Sequence, residues 1–527
     1  MIEDIRVGTR FLAQLPRFLR APLSLAEARR KVAERLRTRS ERLIGLLDVI
    51  GAGSADSPYA RLMSACGCTT EDARRLVVEE GVEGALARLL DVGVYLTADE
   101  FKGRVPVVRG SVSFTVDPTL LLNPLANVHG LSETSGSRGA RTPVPIDLAF
   151  IEDHAVNTHL TLEAHGGRAW AHAHYGVPGG TAVTNPLELA KGDTPPERWF
   201  TPVDLAVPGL HPRYRWGSRA LWLGSRLARV PLPGPTFAPL DAPEPIVRWL
   251  AEVLARGRGH IPHVWTFASS AVLVCEAAAV MGVDISGARF TGGGEPTTPA
   301  RRRAVESVGA VMIPRMGATE TDILAYACVD PDAADDMHFF HDRHALIQPD
   351  GTGVAPPLPA KAMVLTSLLP TAPIFLLNVC LGDQATVVRR ECGCPMADLG
   401  WRYHLSQVRS YEKLTAGGIT LLDSDVIHVL EDVLPGRFGG TSLDYQLVER
   451  VDLDTGHAVV QLLVAPHLAD VVESDLRDTF LTAVGGGTGG EHLMELLWRH
   501  GNVVRVIRET PRRTASGKIL HVHVEAG

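Results

Sequence analysis

The chain has 527 residues, 45% of them hydrophobic, and a formal net charge of −8. A single core stops growing near ~250–300 residues, so a large body and at least one smaller domain are expected. The pI of about 6.2 and the lack of a clustered basic face set nucleic-acid binding aside.

Residues 1 to about 50 read as helices. Ile5, Phe11, Leu12, Leu15, Phe18 and Leu19 are interleaved with Arg6, Arg10, Arg17 and Arg20. A basic amphipathic stretch of this kind suits a membrane surface. Pro16 interrupts it, however, and an arm packed on its own domain is the favoured reading. Met1 is followed by Ile-Glu-Asp, so no signal peptide is expected. No run of ~18 apolar residues occurs, so no membrane span is expected either. Seven cysteines, an odd count in a large chain, argue against a secreted disulfide framework. The expected location is cytoplasmic.

From about 76 to 100 the pattern is a helix and then an apolar edge at Val94–Thr97. Residues 104–123 carry short β-like runs, and a polar, glycine-containing loop follows at 132–142. Pro231–Pro245 reads as a surface connection. Residues 245–282 suggest two helices split near His260–Trp265. Short apolar runs and glycine loops then alternate to about 408. Beyond that point come β-like runs at 419–422, 445–452 and 458–465, a helix near 473–483, and a further run at 503–507. This is the pattern of a small α+β unit.

Five strings carry candidate chemistry. Thr134-Ser135-Gly136-Ser137-Arg138-Gly139-Ala140-Arg141-Thr142 combines glycines, hydroxyls and arginines, the donors of a phosphate cradle. It lacks the Gly-Lys-Ser/Thr ending of a Walker loop, and a flexible polar loop accounts for the same residues. Thr291-Gly292-Gly293-Gly294-Glu295-Pro296 follows an apolar run, as a strand end opening onto a flat ligand would; any strand-to-helix turn reads alike. In Arg315-Met316-Gly317-Ala318-Thr319-Glu320 a hard carboxylate stands beside a hydroxyl, which suits Mg²⁺ against a nucleotide. The plainer reading makes Thr319 a helix cap with Glu320 in the first turn. Leu381-Gly382-Asp383, with Arg409 downstream, offers acceptors for ribose hydroxyls or an ordinary turn. Arg513-Thr514-Ala515-Ser516-Gly517-Lys518 places a lysine on a glycine turn near the chain end, able to act as a point charge on phosphate and carboxylate.

The order of these strings resembles that of the adenylate-forming superfamily of acyl-CoA synthetases, adenylation domains and luciferases, and most of all its phenylacetate–CoA ligase-like branch. The resemblance spans about residues 55–520, and Ser57-Pro58-Tyr59 matches an element of that branch. It implies an α/β fold: a large multi-subdomain N-terminal domain over 1–408, with β-sheets flanked by helices, and a small mobile α+β C-terminal lid domain over 409–527. It implies ATP and Mg²⁺ as cofactors, adenylation of a small-molecule carboxylic acid, and transfer to CoA as co-substrate.

Roles follow position by position. Thr134, Ser135, Gly136, Ser137, Arg138 and Gly139 would bind the ATP phosphates. Gly293, Gly294, Glu295 and Pro296 would line adenine, beside Met316 and Gly317. Thr319 would touch the α-phosphate and Glu320 would hold Mg²⁺. Asp383 and Arg409 would take the ribose hydroxyls, and Lys518 would be the adenylation lysine. Residues 409–413 would form a hinge, Gly417-Gly418 would flank a pantetheine tunnel, and His174-Tyr175-Gly176 would shape the acyl pocket. Met316 stands where many relatives carry tyrosine, and Ala140 where they carry lysine. A carrier protein or a nitrogen nucleophile is the alternative acceptor. A non-catalytic nucleotide- or acyl-binding homologue is the alternative of a different class. A homodimer is a further expectation from the branch.

Cys392-Gly393-Cys394, with Cys328 and His338 upstream, supplies three thiols and an imidazole, the ligand set of a closed tetrahedral Zn²⁺ site. Unrelated buried cysteines are the alternative. Some members of the branch are similar here and carry structural zinc.

Overall fold

A computed structural model describes residues 2–53, 57–126, 128–133, 143–177, 181–206, 212–349, 356–410, 423–451, 458–485, 498, 504–514 and 517–524. The amphipathic N-terminal stretch forms the helix Ile2–Leu19. Its Phe11, Leu15, Phe18 and Leu19 are buried in one cluster with Leu221 and Ala228 of the helix Pro212–Ala228. The apolar stripe is therefore covered by the chain's own body. A Cβ at Gly224 would stand 2.6 Å from Leu15 Cδ2, so glycine is what lets the two helices close up.

The body is organised on a 12-stranded mixed sheet. One half is parallel and runs Pro235–Phe237, Arg198–Thr201, Ala171–Tyr175, Pro262–Phe267, Arg289–Gly293, Val311–Ala318. The other half continues antiparallel through Asp322–Ala327, Met337–Phe339, Tyr403–Ser410, Val379–Arg389, Ala362–Ser367 and His344–Ile347. Helices Ala268–Met281 and Pro299–Glu306 are crossovers between consecutive parallel strands, as parallel pairing demands. The expected split between two helices near His260–Trp265 is the strand Pro262–Phe267, buried along nearly its whole length. A strand covered on both faces loses the alternation that would have identified it.

A second, 4-stranded sheet comes from the C-terminal residues, in the order Val504–Arg508, Ala458–Val464, Tyr445–Val451, Val522–Val524. With the helix Glu473–Val484 it encloses its own core, including Leu430, Leu447, Leu462, Phe480 and Trp498. Among the described residues no helix is long and apolar enough to cross a membrane.

Candidate active site

The carboxyl ends of the parallel strands bring Tyr175, Phe267, Gly293 and Ala318 to one edge, where the sheet switches from parallel to antiparallel pairing. Crevices outside such strand ends are where open α/β sheets take ligands. Gly294 lies there with φ 72°, a backbone conformation that favours glycine. A Cβ at this position would stand 3.0 Å from both Cε and Nζ of Lys518 and 3.1 Å from Phe267 Cδ1. The missing side chain is thus what admits the C-terminal lysine.

Lys518 is presented by a closed turn. Thr514 N–H donates to the Lys518 carbonyl at 2.8 Å, and Lys518 N–H donates to Thr514 Oγ1 at 3.1 Å. Gly517 takes φ 86° between them. The ammonium lies 5.0 Å from the centroid of the Phe267 ring. Burial lowers its pKa, while Glu295 and Asp383 act to raise it. Lys518 is half-buried here, and a part-buried cation interacts with an anion more strongly than one in open water.

Glu295 is a fixture of this edge. Ser269 N–H and Oγ–H donate to its two oxygens at 2.8 and 3.0 Å, at the start of the helix Ala268–Met281. Its side chain is thereby committed to the start of that helix. Met316 is 9% exposed and packs into the core with Leu324 and Phe339. Thr319 and Glu320 sit on the tight connection between the antiparallel strands Val311–Ala318 and Asp322–Ala327. This is a hairpin, so the helix-cap reading of Thr319 does not hold. A Cβ at Gly317 would collide with the Asp322 carbonyl oxygen, and that close approach sets the turn. Glu320 is 6% exposed and has no hydrogen bond or ion pair among the described residues. A buried, unengaged carboxylate beside a hydroxyl fits a hard divalent cation such as Mg²⁺.

The structure separates Asp383 from Arg409. On paired strands Asp383 stands opposite Ser410, and Gln384 opposite Arg409. Successive side chains alternate faces, so Asp383 and Arg409 point to opposite sides. Arg409 is ion-paired with Asp335 at 3.3 Å. The loop Thr134–Gly139, the hinge residues beyond Ser410 and Gly417-Gly418 lie outside the described residues. The strands that flank the loop, Gly130–Glu133 and Pro143–Ile146, pair antiparallel.

A buried chain of ionic contacts holds the C-terminal residues against this edge. Arg301 pairs with Glu295 at 3.3 Å and with Glu431 at 3.3 Å, and donates to the Ile519 carbonyl at 3.1 Å. His521 bonds Glu431 in turn. Burial acts to raise the Glu431 carboxyl, but His521 and Arg301 outweigh it and hold it at about 2. Ile519 and Leu443 join the apolar cluster around Phe290 and Val272.

The cysteine set converges away from the sheet edge. His338 and His404 are cross-strand partners with ring centroids 4.1 Å apart. His338 Nε2 lies 3.2 Å from Cys394 Sγ and 3.6 Å from Cys392 Sγ. Donor atoms of Cys328, His338, Cys392 and His404 all lie within 4.8 Å of one another. Gly393 takes φ 71°, which folds the Cys-x-Cys turn back on itself. His338 Nδ1–H donates to the Trp401 carbonyl at 2.6 Å, which leaves Nε2 directed at the thiols. His404 Nδ1 bonds Asp336 at 2.7 Å, and its Nε2 is buried without a partner. Oriented imidazoles with engaged outer nitrogens are the second shell a zinc site needs. The thiol of Cys328, followed by His338, holds Cys394 far below an ordinary thiol. The donor chemistry of Cys328, His338, Cys392 and His404 fits Zn²⁺; His404 takes the fourth place in this set, where the sequence spacing pointed to Cys394.

No protein-family profile matches the sequence, and no curated protein matches it. Solved structures do match. A 2-hydroxyisobutyryl-CoA ligase in complex with 2-HIB-AMP and CoA is 16% identical over 94% of this chain and 90% of its own, with TM-score 0.46. An open conformation of the same ligase gives 15% identity, coverage of 95% and 93%, and TM-score 0.48. An O-succinylbenzoate coenzyme A synthetase from Bacillus subtilis, in complex with ATP and magnesium ion, gives 12%, 83% and 80%, and 0.40. The matching solved structures are adenylate-forming enzymes.

Several groups at the site carried no sequence signal. Phe267, under Lys518, belongs to the strand read as part of a helix pair. Arg301 sits in an ordinary-looking Arg-Arg-Arg run, of which it alone is fully buried. Its neighbours give no hint of this, because which arginine turns inward depends on where the C-terminal unit docks.

Proposed function

We propose that the chain adenylates a carboxylic acid with ATP and Mg²⁺ and passes the acyl group to the thiol of CoA. The observation that carries this reading is the contact of Lys518 with Gly294, close to Glu295 and Asp383. Residues from the chain end and from two strands lie close together there, which supports the roles that the family resemblance implies for them.

In the first half-reaction a carboxylate oxygen of the acid attacks the α-phosphorus in line, and the bond to pyrophosphate breaks. Lys518 places a part-buried positive charge where the carboxylate and phosphate oxygens approach, and positioning with charge neutralisation supplies most of the catalysis. Thr319 offers a hydroxyl to the α-phosphate. Glu320 would hold Mg²⁺, which when bound neutralises phosphate charge. Asp383 would accept from the ribose hydroxyls. In the second half-reaction the thiol sulfur attacks the acyl carbon and AMP leaves. For this the C-terminal unit, residues 409–527 as a mobile lid on the 1–408 body, withdraws Lys518. Such rearrangements often limit turnover. A carrier-protein thiol or a nitrogen nucleophile would use the same acyl-adenylate. The Cys328, His338, Cys392, Cys394 cluster, with His404, is proposed as a structural zinc site.

The test is ATP–pyrophosphate exchange over a panel of acids, for the wild type and Lys518→Ala. Acid-dependent exchange that falls at least 100-fold in the variant, with ATP binding retained, is expected. Acid-dependent exchange unaffected by the substitution would remove Lys518 from the chemistry. CoA-dependent thioester formation then decides the acceptor.

A further inference from the structure

Gly293 and Gly294 press on two different cations. Gly294 meets Lys518, and a Cβ at Gly293 would stand 2.9 Å from Cγ and 3.0 Å from Nε of Arg315. Arg315 belongs to the strand Val311–Ala318, and its guanidinium lies over the Trp265 ring, 4.6 Å from the centroid. It makes no hydrogen bond or ion pair among the described residues, and its Nη1 is buried without a partner.

Arg315 is half-buried as a residue, with Nη1 its enclosed atom, and its lack of bonds sets it apart from the buried arginines. Arg35 bonds Asn157, Asp153 and Asp342, and Arg109 bonds Glu100 and the Tyr95 carbonyl. Arg301 bonds Glu295 and the Ile519 carbonyl. Arg343 bonds His154 and the Ile323 carbonyl. A purely structural arginine in this chain is a bonded one. Leaving a buried charged donor unpaired is costly.

Other polar groups nearby are in the same condition. Glu188 Oε1, Asn185 Oδ1 and His174 Nε2 are buried without a partner. Asn185 and Glu188 lie three apart on the helix Thr181–Lys191, on one face. Asn185 Nδ2 reaches His174 Nδ1 at 3.3 Å, and Thr158 donates to Glu188 Oε2 at 2.9 Å. The charge of Arg315 is felt by both His174 and Glu188, so these groups share one neighbourhood, at the carboxyl ends of the parallel strands. Burial, and then the neighbouring Asp322 carboxylate, push the Glu188 carboxyl well above its ordinary range. Burial holds His174 at about 3, neutral.

We propose that Arg315, with Glu188 and His174, receives a second oxygen-bearing group on the acid. The substrate is then a carboxylic acid that carries a further carboxylate, carbonyl or hydroxyl oxygen, not a plain hydrocarbon acid. This rests on the adenylation reading and adds the substrate class to it. A hydrocarbon tail would leave the enclosed Nη1 of Arg315 unpaired. An oxygen acceptor satisfies it, and a site built to bond such a group rejects the analogue that lacks it. Arginine's planar set of donors suits this task better than a lysine point charge.

The test uses acids of matched length that differ at one position: unsubstituted, hydroxy, keto and dicarboxylate. Calorimetric binding, which needs no turnover, is measured beside pyrophosphate exchange, for the wild type, Arg315→Gln and Arg315→Lys, each checked for folding by near-UV circular dichroism. The expected result is at least tenfold tighter binding of one oxygen-bearing acid than of its unsubstituted parent. That ratio collapses towards one in Arg315→Gln and is partly kept in Arg315→Lys. Which acid shows the ratio identifies the group. Equal or tighter binding of the unsubstituted acid by the wild type, or an unchanged ratio in Arg315→Gln, overturns the proposal whether or not exchange occurs. Failure of exchange together with a preserved binding ratio counts against adenylation and leaves the Arg315 assignment standing.

Discussion

Replacing Arg301 by alanine should undock the C-terminal residues while leaving both cores folded. The side chain is fully buried between two carboxylates, Glu295 and Glu431. Breaking a buried ion pair costs ~3–5 kcal/mol when the partner is stranded. Here neither partner is fully stranded, since Glu431 keeps His521 and Glu295 keeps both Ser269 donors, so the low end applies. Two of the contacts, to Glu431 and to the Ile519 carbonyl, reach the C-terminal unit. The share that falls on docking is therefore about 2–3 kcal/mol, or roughly 30- to 150-fold in the docked population. Amide hydrogen exchange across Gly517–His521 should speed up at least tenfold in Arg301→Ala, while amides of the Leu462 and Phe480 core stay protected. Pyrophosphate exchange should fall with it, because Lys518 leaves Gly294. Arg303, two residues on, is the control. Its ion pair with Asp432 is exposed, and exposed pairs contribute ~0–1 kcal/mol, so Arg303→Ala should change little. Unaltered exchange at Gly517–His521 in Arg301→Ala would refute the clamp.

Two further outcomes are expected. Elemental analysis of the purified protein should find zinc near one per chain. Its removal by a chelator, or Cys392→Ser, should lower the melting temperature markedly, since structural zinc contributes folding free energy directly; a metal-free protein with the same melting temperature would count against the site. Glu276 faces the C-terminal unit, where burial and then Asp444 raise its carboxyl to about 7. A carboxyl raised above its ordinary value of 4.5 favours the folded state least once it must ionise there. Its contribution therefore weakens as pH climbs from about 4.5 through 7, and levels off above. Glu276→Gln should melt higher than the wild type at pH 8 and equally at pH 5, and parallel melting curves at both pH values would exclude that role.

Much of the chemistry was legible in short strings because it depends on residue type and local spacing. A left-handed position at Gly294, a Cys-x-Cys turn at Gly393 and a lysine after Gly517 are all determined by neighbours in the chain, and glycine advertises them. The amphipathic helix Ile2–Leu19 showed its apolar face in the same way. What covers that face did not show, because it is set by Leu221 and Ala228, far along the chain.

Tertiary structure alone decided which partners these groups meet. It put Arg409 on the face opposite Asp383 and gave it to Asp335, a matter of strand register that no motif records. It made a hairpin of the turn at Thr319, because strand Asp322–Ala327 pairs back instead of a helix starting. It turned Arg301, and neither of its arginine neighbours, into the buried clamp, and left the enclosed Nη1 of Arg315 without a partner. Local sequence fixes backbone geometry over a few residues. Desolvation, register and ion pairing are properties of contacts between segments remote in the chain, and they exist only once those segments have packed together.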